Sequence, residues 1–194
     1  CGGGVPFLHN LSLAVLSDRI ESLGGILNGT TNYMLDAMQR RGLDYGAALA
    51  DAQKLGYAEA DPTADVSGLD ALRKIMLGCA VGFDALPDEG LDREGIESFT
   101  AADVADIKKR GLTCRLVARG GRTDGGVYAY VEPVLFNAAA PECSVLDNFN
   151  LARYHGEDSG DIVMIGQGAG RWPTASAVLR DLSCVLRGER EMLG

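Results

Sequence analysis

The chain has 194 residues and a formal net charge of −9, from 18 Lys plus Arg against 27 Asp plus Glu. Its 46% apolar and 23% charged fractions are those of a soluble globular chain able to bury a core as one domain. The acidic balance argues against nucleic acid, since the densest basic run is only Lys108-Lys109-Arg110. No apolar stretch approaches the ~18 residues of a spanning helix, and the opening Cys1-Gly2-Gly3-Gly4-Val5-Pro6 has no signal-peptide pattern. Cys1, Cys79, Cys114, Cys143 and Cys184 are odd in number and widely spaced, without a CxxC pair. They form neither a disulfide framework nor a zinc site, so a reducing, cytoplasmic compartment is expected.

In chain order, the mostly apolar run from Phe7 to Leu16 predicts a helix, and Arg19 to Leu27 has strand patterning. Thr30 or Thr31 is expected to cap a helix over Asn32–Arg41 that Gly42 ends. Asp44 caps the next helix through Lys54, closed by Gly56, and Tyr57–Asp65 reads as a loop. A third helix starts near Asp65 or Ser67, with Leu69, Leu72, Met76, Cys79, Ala80 and Phe83 as its apolar stripe. Leu86–Glu97 is a polar connector holding Pro87 and Gly90. Thr100 and Asp103 form a capping box for a helix to Arg110, stopped by Gly111. The period then changes: Leu112–Arg119 and Val127–Phe136 alternate as strands about the connection Gly120–Gly126. Val145–Phe149 reads as a helical turn, Leu151–Tyr154 and Asp161–Ile165 as strands, and Thr174–Arg190 as a helix. Helices first and strands later, without βαβ alternation, give an α+β class: a mixed, largely antiparallel sheet with helices on one face.

Three segments could carry chemistry. Asp70 and Lys74 are spaced i, i+4 and share a helix face; the same spacing is also common in surface pairs. Glu59, Asp61 and Asp65 lie just upstream, able to hold an ammonium group or simply to favour a helix N-terminus. Asn28-Gly29-Thr30-Thr31 could offer backbone amides to an anion, or be an ordinary capped turn. Gly166-Gln167-Gly168-Ala169-Gly170-Arg171 is not a Rossmann fingerprint, because Arg171 stands where the third glycine belongs. It is either a ligandless turn or a set of amides facing a dinucleotide bound mainly elsewhere. With only His9 and His155, a histidine-based metal site or triad is improbable.

Four segments in order, GGGVP, GILNGTTNYML, AQKLGYAEADPTADVSGLDALRK and GQGAGRWPTASAVLRDL, resemble the homoserine dehydrogenase family. The resemblance runs from Cys1 to about Leu182 and is to the family's catalytic and dimerisation part. It implies an oxidoreductase that interconverts L-homoserine and L-aspartate 4-semialdehyde with NADP or NAD. Lys74, closing the GxDxxxK pattern, would be catalytic together with Asp70. Substrate would be held by Glu59, Asp70, Thr31 and Tyr57, with Glu59 on the α-ammonium group. Gly56, Gly168, Gly170 and Thr174 would lie against the cofactor. Backbone carbonyls of Cys1, Gly3 and Val5 match a monovalent-cation site for Na or K. The resemblance also implies a homodimer through the second sheet face, read as apolar on both sides of Val127–Val131. It further implies a partner N-terminal dinucleotide-binding domain, on which the helix 174–190 would pack and without which these residues would be inactive. The competing reading is a stand-alone dimerisation or binding module; Glu59, Asp70 and Lys74 together favour the enzyme.

Overall fold

A computed structural model describes residues 1–87 and 92–188. Gly90 of the expected connector, and residues 189 and 190 of the expected last helix, lie outside the described residues. Seven α-helices and a five-stranded sheet are present among them. In order these are α1 (Phe7–Ala14), β1 (Ile20–Ile26), α2 (Gly29–Arg41), α3 (Tyr45–Lys54), α4 (Thr63–Val66), α5 (Leu69–Phe83) and α6 (Ala101–Lys109). Then follow β2 (Thr113–Thr123), β3 (Gly126–Phe136), a 3₁₀ turn at Pro141–Ser144, β4 (Phe149–Gly156), β5 (Gly160–Gln167) and α7 (Arg171–Leu186).

The sheet order is β3-β2-β1-β4-β5, and every strand pairing is antiparallel. The sheet is therefore antiparallel rather than mixed; only an isolated Arg93–Val131 bridge is parallel. β1 is first in the chain but central in the sheet. One face carries Leu23, Cys114, Leu116, Ala118, Ala129, Val131 and Ala152, all buried in the main core cluster with residues of α1, α2 and α5. The buried stripe of α5 is Ala71, Leu72, Ile75, Gly78, Cys79, Gly82 and Phe83, rotated from the expected one. Small residues explain the rotation. A Cβ on Gly78 would meet the Phe7 ring at 3.1 Å, and one on Gly82 would meet Leu23 at 2.9 Å. The helix thus approaches the sheet through residues that a count of large apolar side chains passes over.

Several local expectations are corrected. Asn28, not a threonine, caps α2, its side chain accepting from the Thr31 N–H at 2.9 Å. Residues 57–65 are not all loop, because Thr63 to Val66 form α4. The β2–β3 connection is the two residues Asp124-Gly125, since Thr123 pairs with Gly126. The glycines at 120 and 121 sit inside β2, where Gly120 makes room for the Cys79 thiol of α5. The helical turn falls at 141–144 rather than 145–149, because Phe149 already pairs with Gln167 in the ladder. The caps at Asp44 and Thr100–Asp103 form as expected.

The opposite sheet face is not uniformly apolar. It carries Ser22, Arg119 and Arg153 beside a stacked Tyr128–Tyr130 pair with centroids 5.9 Å apart. At one end Arg115, only 1% exposed, pairs with Asp36 at 3.4 Å beneath the 141–144 turn. Toward β5, Val163 and Ile165 are exposed.

Gly25 in the central strand has φ +143°, and a Cβ there would lie 1.9 Å from the Leu151 carbonyl oxygen of β4. Both the backbone conformation and the contact forbid a side chain. Gly25→Ala is expected to destabilise the domain by about 3 kcal/mol or more, measured by urea denaturation.

Candidate active site

Lys74 projects from α5 toward the C-terminal end of β1. Its Nζ lies 2.6 Å from Asp70 Oδ2 and donates to the Leu27 carbonyl oxygen at 2.9 Å. Both side chains are partly buried, at 23% and 30% exposure, so this is not a freely solvated surface pair. The third N–H of the ammonium group remains for a ligand. Asp70 Oδ2 also accepts from Asn28 Nδ2 at 2.8 Å, and that same amide nitrogen donates to Asp65 Oδ1 at 2.7 Å. The site thus gathers the β1–α2 turn, α4 and α5.

Lys74 opens onto a cleft of about 610 Å³. Its walls are the opening segment from Cys1 to His9, the Gly168-Ala169 turn and the inner side of α7, including Thr174 and Ala177. Two glycine-rich segments build this wall by direct backbone contact. The Gly4 N–H donates to the Gln167 carbonyl at 2.9 Å, and a Cβ on Gly3 would lie 2.3 Å from the Gly168 carbonyl oxygen. Gly168 in turn lies flat against the buried Asn150 amide, whose oxygen would be 2.1 Å from a Cβ. Gly170, with φ +128°, starts α7, and no side chain caps that helix. Its first two N–H groups, those of Arg171 and Trp172, belong to exposed residues, and Pro173 has none to satisfy.

The other predicted residues are more dispersed. Gly56 ends α3 with φ +76°, and a Cβ there would meet nothing within 4 Å. Its identity follows from the left-handed turn alone, with open space in front of it. The Tyr57 ring packs edge-on against Tyr33 at 5.1 Å, and its carbonyl accepts from Thr30 Oγ1 at 2.5 Å. Tyr33 is itself fixed by its hydroxyl donating to Asp51 at 2.6 Å. Glu59 is exposed, and its carboxylate makes no hydrogen bond or ion pair among the described residues. Thr31 is 1% exposed, and its hydroxyl donates to Asn28 at 3.1 Å. Its side chain therefore serves Asn28.

The residue that the sequence reading missed as part of the site is Asn28. The sequence expectation puts the cap on Thr30 or Thr31; an Asn before Gly-Thr-Thr is itself a cap signal, but nothing local announces its contacts with Asp65 and Asp70. Cys79 and Cys114 are not nucleophiles, since burial pushes both thiols up to about 12. No cluster of three His, Cys, Asp or Glu side chains able to hold a metal occurs among the described residues. Of the three carbonyls proposed for a monovalent cation, that of Val5 already accepts the Phe7 N–H at 2.8 Å. The segment thus offers neutral ligands only.

This geometry can be set beside known proteins. The homoserine dehydrogenase family profile matches residues 6–183. The chain belongs to the homoserine dehydrogenase family. It is 39% identical over 189 residues to the Bacillus subtilis homoserine dehydrogenase, covering 97% of this chain and 44% of that protein. The Mycobacterium tuberculosis homoserine dehydrogenase is 41% identical over 198 residues, covering 99% of this chain and 44% of its own length. The Thiobacillus denitrificans homoserine dehydrogenase structure superposes with a TM-score of 0.89 at 35% identity, covering 98% of this chain and 45% of that one. A hyperthermophilic archaeal homoserine dehydrogenase in complex with NADPH gives a TM-score of 0.77 at 27% identity, covering 94% of this chain and 52% of that one. The chain therefore spans less than half the length of its bacterial relatives.

Proposed function

We propose that these residues are the catalytic and substrate-binding domain of an NAD(P)-dependent homoserine dehydrogenase, interconverting L-homoserine and L-aspartate 4-semialdehyde. The observation that carries this reading is Lys74, held by Asp70 at 2.6 Å and by the Leu27 carbonyl at 2.9 Å, at the mouth of a glycine-walled cleft. The cleft fits a nicotinamide cofactor because backbone, not side chains, forms its glycine wall. Gly168, Gly170 and Thr174 would hold the cofactor, with Gly56 leaving space for it. When bound, that cofactor supplies or accepts the hydride.

The chain's own residues supply the proton and the grip on substrate. In the reducing direction Lys74 Nζ donates a proton to the carbonyl oxygen that becomes the homoserine hydroxyl, and takes it back in reverse. Asp70 fixes the ammonium group and contacts substrate, while Glu59 holds the α-ammonium group. Tyr57, braced by Tyr33 and Thr30, shapes the substrate side, and Thr31 acts there through Asn28. The carbonyls of Cys1, Gly3 and Val5 would contribute to a Na or K site completed by ligands from elsewhere. Trp172, Leu179, Leu182 and Leu186 leave an apolar stripe of α7 exposed, which supports its docking on a dinucleotide-binding domain. The enzyme would work in the cytoplasm. A stand-alone dimerisation module would have no use for the Lys74–Asp70 pair beside the cleft, which favours the enzyme.

Three experiments test this reading. In the full-length protein, Lys74→Ala is expected to lower kcat by roughly 10²–10⁴, and Glu59→Gln to act mainly on KM for homoserine by about 1–3 kcal/mol. Steady-state kinetics on folded variants checks both, and an undiminished kcat in Lys74→Ala would overturn the assignment. The 194 residues alone are expected to bind NADPH weakly, since the pyrophosphate site would lie in the other domain. Calorimetry showing sub-micromolar affinity would contradict this. The uncovered sheet face, with its tyrosine stack and exposed Val163 and Ile165, supports a homodimer. Sedimentation is expected to show a dimer at micromolar concentration, and a monomer would refute it.

A further inference from the structure

Asn28 is 4% exposed, and all four of its side-chain hydrogen-bonding positions are used. Its Oδ1 accepts from the Thr31 N–H at 2.9 Å and from Thr31 Oγ1 at 3.1 Å. Its two Nδ2 hydrogens go to Asp65 Oδ1 at 2.7 Å and Asp70 Oδ2 at 2.8 Å. The amide cannot be turned over. A flipped amide would point an N–H₂ at the Thr31 N–H and an oxygen at two carboxylates. Which end faces the site is thus decided by the start of α2.

Capping alone does not require asparagine. Aspartate and serine cap helices about as well. Aspartate would bring a third carboxylate against Asp65 and Asp70 with no proton to share, and serine would retain the cap but lack the forked donor. Only asparagine accepts from Thr31 while donating to both carboxylates at this reach. The oxygen of Asp70 that it holds is the same Oδ2 that pairs with Lys74 at 2.6 Å. Without the amide, Asp70 would lose its second anchor and stand near Asp65 with no donor between them.

We infer that Asn28 is a positioning residue for the proposed reaction: its amide clamps Asp70 so that Lys74 is aimed into the cleft. This rests on the reading of Lys74 as the proton donor. The clamp joins the turn after β1 to α4 and α5, some forty residues further along the chain, next to the lysine. A shift of about 1 Å in such a group is enough to cost ~10²-fold in rate.

The test uses the full-length protein with Asn28→Ser and Asn28→Asp, each made on the parent and on a Lys74→Ala background. Both replacements retain a cap for α2; Asn28→Ser should melt within a few degrees of the parent, whereas Asn28→Asp, with its third buried carboxylate, should melt lower but fold. On the parent background, kcat should fall about 10-fold to 100-fold, more in Asn28→Asp than in Asn28→Ser. On the Lys74→Ala background the same substitutions should change kcat less than about twofold, because there is no lysine left to aim. Parent-background kcat within twofold, in folded variants, overturns the inference. So does an equal fall on both backgrounds, which would mark a structural residue acting independently of Lys74. If Asn28→Ser does not fold, Asn28→Asp carries the test; if neither folds, the amide serves the fold rather than the lysine and the inference fails. A Lys74→Ala protein with full kcat overturns the proton-donor reading itself, and so is distinguishable from a failure at Asn28 alone.

Discussion

The Lys74 ammonium donates to the Leu27 carbonyl, the first backbone acceptor past β1, while Asp70 holds it from one turn earlier on its own helix. An i, i+4 pair on a solvated helix contributes a few tenths of a kcal/mol and fixes little. Here the same pair is pinned from outside the helix, by a carbonyl at the end of the central strand and by the Asn28 amide. The direction of the lysine therefore depends on how α5 is seated on the sheet. That seating depends on Gly78, Gly82 and Gly120, where side chains would hold helix and sheet apart. A chain of close contacts thus runs from the core to the Lys74 ammonium that faces the cleft.

The wall opposite Lys74 follows a related constraint. Gly3 and Gly168 bring two backbones into contact at a distance no side chain permits, and the turn they form continues into α7. This leaves peptide groups rather than side chains along that wall of the cleft. The sequence of the segment is thus explained twice, by packing and by the proposed ligand. Packing alone accounts for Gly3 and Gly168.

The helices cover one sheet face and leave the other with arginines, stacked tyrosines and exposed aliphatic residues. α7 has no buried residue among those described and carries its own apolar stripe. The chain that carries these two surfaces spans under half the length of its bacterial relatives.

What the sequence determined by itself was local or motif-borne. The Asp44 and Thr100–Asp103 caps, the Gly42 and Gly56 stops, the α+β class and the Asp70–Lys74 spacing all rest on neighbours within a few residues. The family could be read because its long motif is continuous in sequence. The tertiary structure decided what depends on pairing across the chain. β1 became the central strand because β2 and β4 pair on either side of it, which no local pattern announces. The glycines at 120 and 121 looked like turn residues, yet they lie within β2 because α5 and Tyr128 need the space above them. The α5 stripe turned by one position because small residues set the closest approach. The sequence showed a helix start near Asn28 but set its cap on a threonine; the hold of Asn28 on Asp65 and Asp70 spans 37 and 42 residues, and only the folded chain brings those carboxylates to a single amide.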